Sequence, residues 1–167
     1  LALLGLSQAT DDPEALDVLA TVSNHAAQDP DIHLYFDASV LTCSIDEVVN
    51  AFQVASQVVI QKSTREGFGL TVTEAMWKAK PVIGGDVGGI RIQIDDAVNG
   101  YLVSSPEECA QRLVQLLQDP QLRARLGEAA RESVRERFLM PRLAFDYLQA
   151  AKAHAFSAAE TASTPST

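Results

Sequence analysis

The chain has 167 residues, 47% of them hydrophobic and 21% charged, which suffices for the core of one ordinary domain and excludes a disordered or fibrous chain. Lys and Arg total 13 against 22 Asp and Glu, a formal charge of −9. That balance repels polyanions and argues against a broad nucleic-acid or acidic-membrane surface, while leaving room for a small phosphate ester held by a few directed donors.

No apolar run approaches the roughly 18 residues that a membrane span requires. The opening Leu1-Ala2-Leu3-Leu4-Gly5-Leu6 is too short for a signal h-region and has no basic segment before it. Cys43 and Cys109 make neither a disulfide framework nor a four-thiolate zinc site, so a reducing, cytoplasmic setting is expected. The first residue is not Met and lies inside a strand-like run, so the sequence reads as a piece of something longer.

Strand and helix signals alternate along the chain. Leu1 to Leu6 has the continuous apolar character of a buried strand. Asp12-Pro13-Glu14 opens a helix to about Ala27, and Ile32 to Phe36 reads as the next strand. Ser44 and Glu47 form a capping box, and the helix behind it places Ile45, Val48, Val49 and Phe52 on one face. Val58 to Ile60 is a third strand, followed by a loop from Gln61 to Gly67 and a helix over roughly Phe68 to Lys78. Pro81 to Ile83 is a fourth strand, running into Gly84-Gly85-Asp86-Val87-Gly88-Gly89. Asn99-Gly100 turns the chain into a short strand at Tyr101 to Val103. Ser105-Pro106-Glu107-Glu108 caps a helix with Ala110, Leu113, Val114 and Leu117 on one face. Helices are expected from Gln121 to Phe138 and from Pro141 to about Phe156, with a small polar tail from Ser157 to Thr167 that reads as disordered. Strands separated by helices imply βαβ units and a Rossmann-like α/β fold with a doubly wound parallel sheet.

In such a sheet, ligands bind beyond the carboxyl ends of the strands. The stretch Glu66-Gly67-Phe68-Gly69-Leu70-Thr71-Val72-Thr73-Glu74 runs from a strand end into a helix. Gly67 and Gly69 allow close backbone approach, and the helix N-terminus offers free N–H groups to a phosphate or a sugar hydroxyl. Val72, Ala75, Met76 and Ala79 form the stripe expected to pack on the sheet, which leaves Leu70, Thr73, Glu74 and Trp77 on another face. A carboxylate at Glu74 can accept two hydrogen bonds from a vicinal diol such as a ribose, and Glu66 can do the same for a transferred sugar. The plainer reading makes Glu66 a helix-start acid and Glu74 a solvated surface residue. On spacing alone the two readings stand level.

Glu66, seven intervening residues and Glu74, with Gly-Phe-Gly-Leu after the first acid, closely resemble the signature of retaining glycosyltransferases of family 4 with the GT-B fold. Glu74-Ala75-Met76, Lys80-Pro81-Val82-Ile83-Gly84, Val87-Gly88-Gly89-Ile90 and Asn99-Gly100-Tyr101-Leu102-Val103 resemble that family in its order, over about Leu1 to Phe138. Within it, Gly-Leu-Thr-Val-Thr-Glu-Ala-Met-Trp-Lys is most similar to the trehalose-forming branch. Thr71 and Arg91, where many relatives carry Pro, favour the same branch.

The resemblance implies the C-terminal half of a GT-B fold, with residues 1–156 as a nucleotide-sugar-binding domain incomplete at its N-terminus. The donor would be UDP-, ADP- or GDP-glucose, with no permanently bound cofactor and no metal held by the protein. Glu74 would bind the ribose. Glu66, as the catalytic-site acid, would hold the transferred glucose with the backbone N–H groups of Gly67, Phe68, Gly69 and Leu70, and Gly88 and Gly89 would line the same cleft. The base would rest near the residues after Ile32. Glucose would pass with retention to an acceptor sugar, glucose itself in the trehalose-forming case. The family reacts on one face of the sugar, without a firmly established carboxylate nucleophile. Its phosphate-binding Arg and Lys lie upstream of the strand at Leu1, and its acceptor site lies on a separate N-terminal Rossmann-like domain. The 167-residue chain alone is therefore expected to bind donor weakly and to lack transferase activity. A retaining trehalose phosphorylase and a non-catalytic nucleotide-binding or interaction module are the alternatives, and a homodimer stays open.

The remaining candidates read more plainly. Lys62, Arg65 and Arg91 do not match the family's phosphate-binding cations. His25, His33 and His154 are scattered without an acid or Cys pattern, and no Gly-x-Ser-x-Gly elbow, Gly-x-Gly-x-x-Gly fingerprint or Walker lysine loop occurs. Trp77 is expected in semi-buried helix packing. Arg123 to Arg137 forms a solvated face with Glu128, Glu132 and Glu136, and Cys109 is inert.

Overall fold

A computed structural model describes residues 1–5, 13–37 and 42–162, with side chains described for 1–5, 16–37 and 42–152. The expected strand end at Leu6, the cap at Asp12 and residues 163–167 of the tail lie outside the described residues. The chain divides into two compact units, Leu1–Phe52 and Gln53–Thr167. In the first, β1 (Ala2–Leu4) pairs in parallel with β2 (His33–Tyr35), with α1 (Pro13–Ala26) between them. Helix α2 (Ile45–Ala55) opens on the expected capping box: Ser44 N donates to Glu47 Oε2 at 2.8 Å, and Glu47 N donates to Ser44 Oγ at 3.2 Å. These hydrogen bonds hold the Glu47 carboxyl below its ordinary range. Ile45, Val48, Val49 and Phe52 are half-buried, and the Phe52 ring lies 4.8 Å from that of Tyr35.

The second unit carries a parallel sheet in the order β3 (Val59–Gln61), β4 (Val82–Gly85), β5 (Tyr101–Val103). The strand register pairs Ile60 with Ile83 and Ile83 with Tyr101. Successive residues of β4 face opposite sides, and both sides are covered. On one side Val82 packs with Val72, Ala75 and Met76 of α3 (Leu70–Trp77), Ile90 of α4 (Ile90–Gln93), Ile94, and Ala130 and Val134 of α6 (Pro120–Arg137). On the other, Ile83, Tyr101 and Val103 pack with Leu116 of α5 (Pro106–Gln118) and Leu126 of α6. The sheet is thus sandwiched by helices, as the alternating pattern predicts.

Three local expectations need correction. The stripe of α5 that packs on the sheet is the half-buried Cys109 and Leu113 with the buried Leu116, while Val114 and Leu117 are exposed. The face is set by Cys109, a small hydrophobe when buried, so it is displaced from the Ala110–Leu117 stripe. Ala79 does not extend the stripe of α3, because it follows the helix in the left-handed region at φ 55°. There Ala79 N donates to Met76 O at 3.0 Å and Lys80 N to Ala75 O at 3.1 Å, a Schellman ending with alanine where glycine is usual. Helix α7 (Met140–Ala162) runs past the expected boundary at Ser157, since the alanine-rich segment favours helix over an irregular tail.

Where α6 crosses the end of α3, a Cβ on Gly127 would overlap the Ala79 carbonyl. Two substitutions here should move stability in opposite directions under chemical denaturation. Ala79→Gly relieves a left-handed cost of roughly 1–2 kcal/mol against an unfolded-state entropy loss of roughly 0.4–1 kcal/mol, so a gain of up to about 1.6 kcal/mol is expected. Gly127→Ala gains helix propensity of about 1 kcal/mol but forces the crossing apart, at roughly 1–3 kcal/mol, so a net loss is expected. Equal midpoints for Gly127→Ala and wild type would contradict that packing.

Candidate functional site

The candidate site is built where two loops leave the carboxyl ends of β3 and β4. Past β3, Gln61 Nε2 donates to Ser63 Oγ at 3.0 Å, and Ser63 Oγ donates to Glu66 Oε2 at 3.4 Å, which tethers the half-buried Glu66 to its own strand. The loop past β4 lies flush against it. Gly89 N donates to Glu66 O at 3.1 Å, and a Cβ at Gly88 or Gly89 would overlap the carbonyl of Glu66 or Gly67 respectively. Gly88 is also left-handed, at φ 37°. These two glycines therefore serve contact between the loops themselves, a role that the sequence reading did not give them.

Gly69 caps α3 in the left-handed region at φ 85°, a conformation that glycine adopts without strain. Gly67 faces open space. Phe68 rests its ring edge-on to Phe138, with centroids 5.8 Å apart, and Leu70 is 68% exposed. Among the described residues, no acceptor takes the amides of Gly67, Phe68, Gly69 or Leu70. The loop thus carries unspent donors beside the positive end of the α3 dipole, with Gly67, Phe68 and Leu70 exposed and Gly69 buried.

Helix α3 separates its faces as its 3.6-residue period requires. Val72, Ala75 and Met76 are fully buried, while Glu74 is exposed about one turn from the loop. Two residues missed at the sequence level bear on it. Gln53 of α2 is buried, and its Nε2 donates to Thr71 O at 3.3 Å and lies 3.5 Å from Glu74 Oε2. Lys78 Nζ donates to Gln53 Oε1 at 2.6 Å, which fixes the orientation of that amide. Gln93, also buried, reaches both loops. Gln93 stands in the alternating stretch Ile90-Arg91-Ile92-Gln93-Ile94, where nothing sets it apart from the exposed Arg91.

The other candidates fall outside this cluster of contacts. Arg91 forms a two-pronged pair with Asp86, at 2.5 and 3.1 Å, that holds the Asp86 carboxyl below its ordinary range. Trp77 is 40% exposed with the Arg131 guanidinium 5.3 Å from its ring centroid. His25 Nδ1 donates to Thr21 O at 2.8 Å within its own helix. Burial pushes the Cys109 thiol up, away from nucleophilic character. Glu132 pairs with Arg135 on the exposed face of α6.

Residues 39–133 match the family of glycosyl transferases group 1. The chain belongs to that family. It is 48% identical over 149 residues to a trehalose synthase of Rubrobacter xylanophilus, covering 89% of this chain and 35% of the relative. It is 34% identical over 129 residues to a trehalose phosphorylase of Pleurotus pulmonarius, covering 75% of this chain and 18% of the relative. The crystal structure of Anabaena HepE in complex with UDP and glucose superposes with a TM-score of 0.72 at 20% identity, over 91% of this chain and 40% of that one. The fold is accordingly that of the GT-B glycosyltransferases, and the chain spans about a third of the length of the trehalose synthase it matches.

The Asp86–Arg91 pair gives a direct test of the loop's electrostatics. A depressed carboxyl pKa contributes stability at neutral pH that fades as the pH falls through the lowered value. Arg91→Ala should return the Asp86 titration upward to the ordinary carboxylate range, read by carboxyl-carbon NMR. An unmoved titration would dissolve the pair.

Proposed function

We propose that this chain is the donor-binding domain of a retaining glycosyltransferase that moves glucose from a nucleoside diphosphate sugar to an acceptor sugar, glucose in the trehalose-forming case. The observation that carries the reading is the unspent amide row from Gly67 to Leu70, flanked by Glu66 in the loop and by Glu74 exposed about one turn into α3. Amides at a helix N-terminus suit the hydroxyls of a transferred sugar, and an exposed carboxylate suits the paired hydroxyls of a ribose. In this reading Glu74 grips the ribose, and Glu66 with the loop amides holds the glucose. Gly88 and Gly89 line the cleft indirectly, by setting the height of the loop.

Departure of the nucleoside diphosphate from the anomeric carbon builds negative charge on phosphate oxygens. Donors already fixed in place stabilise that charge without reorganising, which is the largest aid such a site can give. Similarity to the Rubrobacter trehalose synthase supports the trehalose assignment, and the HepE complex with UDP and glucose supports a nucleotide-sugar donor. Acceptor binding belongs, in this reading, to a separate N-terminal domain, so the 167-residue chain alone binds donor weakly and transfers nothing.

The Pleurotus relative favours a second reading, a retaining trehalose phosphorylase. Such an enzyme uses phosphate or glucose 1-phosphate and has no need of a ribose contact. Calorimetry with UDP, ADP and GDP separates the two. Under the transferase reading one of them binds, and Glu74→Ala weakens it by more than about 1 kcal/mol, the scale of a lost hydrogen bond to a charged group. Binding of none of the three, with glucose 1-phosphate bound instead, would favour the phosphorylase.

A further inference from the structure

We infer that Gln93 is a positioning residue of the donor site, whose side-chain amide clamps the two loops together and aims the loop amides at the donor. The inference rests on the donor-site reading above and extends it to a residue that touches no ligand in that reading.

Gln93 ends the four-residue helix α4 and is 0% exposed. Its Nε2 donates to Phe68 O and lies 3.4 Å from Gly69 O and 3.3 Å from Gly89 O. One amide group therefore gathers carbonyls from both loops. Its Oε1 accepts from Thr73 Oγ1 at 2.5 Å, which dictates which end of the amide faces the carbonyls. Its own main-chain carbonyl accepts from Asn99 Nδ2 at 3.2 Å, and Asn99 is itself buried and takes Asp95 N at 2.8 Å. The clamp is thus anchored at its base as well as at its tip.

The consequence follows from peptide geometry. In a trans peptide the C=O of one residue and the N–H of the next point in opposite directions. Drawing the Phe68 carbonyl onto Gln93 turns the Gly69 N–H away from it, and the Gly69 carbonyl, which accepts from Val72 N at 3.0 Å and lies 3.4 Å from Gln93 Nε2, does the same for the Leu70 N–H. Those are two of the amides left without an acceptor among the described residues. A carboxamide fits this duty, because it offers two donors and an acceptor on one neutral group. A carboxylate would repel the carbonyls, and an apolar side chain would take from the Phe68 carbonyl the donor it has here.

The test uses the 167-residue chain and the pairs UDP and UDP-glucose, ADP and ADP-glucose, and GDP and GDP-glucose, choosing the pair that wild type binds. In Gln93→Met the nucleoside diphosphate, gripped through Glu74, should stay within about threefold of wild type, whereas the sugar nucleotide should weaken at least about tenfold, a 1.4 kcal/mol change. Thr73→Val, which leaves the buried glutamine in place but frees its amide to turn, should act in the same direction by about threefold, as expected for one lost neutral hydrogen bond. In NMR titrations, the sugar nucleotide should shift the Gly69 and Leu70 amide resonances in wild type and not in Gln93→Met.

A merely structural role would weaken both ligands together. That result, or unchanged sugar-nucleotide binding with both amides still shifted, overturns the positioning role. Should Gln93→Met fail to fold, Thr73→Val decides alone by the same two readouts. If Glu74→Ala leaves nucleotide binding intact and no sugar nucleotide moves the Gly69 and Leu70 amides of wild type, the donor-site reading itself fails. If that control behaves as expected and only the Gln93 and Thr73 variants do not, the positioning inference falls by itself.

Discussion

The site depends on backbone packed directly against backbone. The Gly88-Gly89 turn and the Glu66-Gly67-Phe68 loop meet so closely that neither glycine has room for a Cβ, and the Gly89 N–H closes the seam on Glu66 O at 3.1 Å. Contact of this kind is specific because it tolerates no side chain and leaves no slack for water. It also consumes polar groups in a directed way. The carbonyls of Glu66, Phe68 and Gly89 are spent inward, on the partner loop or on Gln93. The amides from Gly67 to Leu70 are what remain.

That division of polar groups links the core to the site. Ile90 is fully buried beside Val72 and Met76, so the same short segment that ends in Gln93 is also nailed to the α3 side of the sheet. Loop position is therefore inherited from core packing, through Ile90 and Ile94, and from the β3–β4 register, which sets where the two loops emerge. A loop fixed in this manner has little conformational freedom left to lose in any further ordering.

Much of this was legible from residue order, and the exceptions have physical causes. The strands, the capping boxes and the two faces of α3 follow from local period and cap chemistry, which act within a few residues. Ala79 escaped because a left-handed helix ending normally shows itself through glycine, and alanine carries no such mark. The stripe of α5 is displaced because Cys109 packs as a small apolar residue and draws the face towards itself. Gln93 and Gln53 escaped for a different reason. A glutamine reads as a surface residue unless its partners are known, and the partners of Gln93 include carbonyls some 25 positions away along the chain. Glu66 and Glu74 could be named, but on spacing alone they could not be separated from solvated acids.

A chain of formal charge −9 must still attract an anionic donor if the proposed function holds. Net charge is a weak obstacle here, since exposed charges more than about 8 Å apart are largely screened at physiological ionic strength. What acts at contact distance is local. Arg91 is already committed to Asp86, and Lys78 to Gln53, so drawing either onto a phosphate would first cost the interaction it makes. The amide row carries no such prior commitment. It gains hydrogen bonds and a favourable dipole on meeting a phosphate or a hydroxyl, while giving up only water. The net negative charge then acts as a filter, unfavourable to extended polyanions and nearly indifferent to a small ester that meets such a row at contact distance.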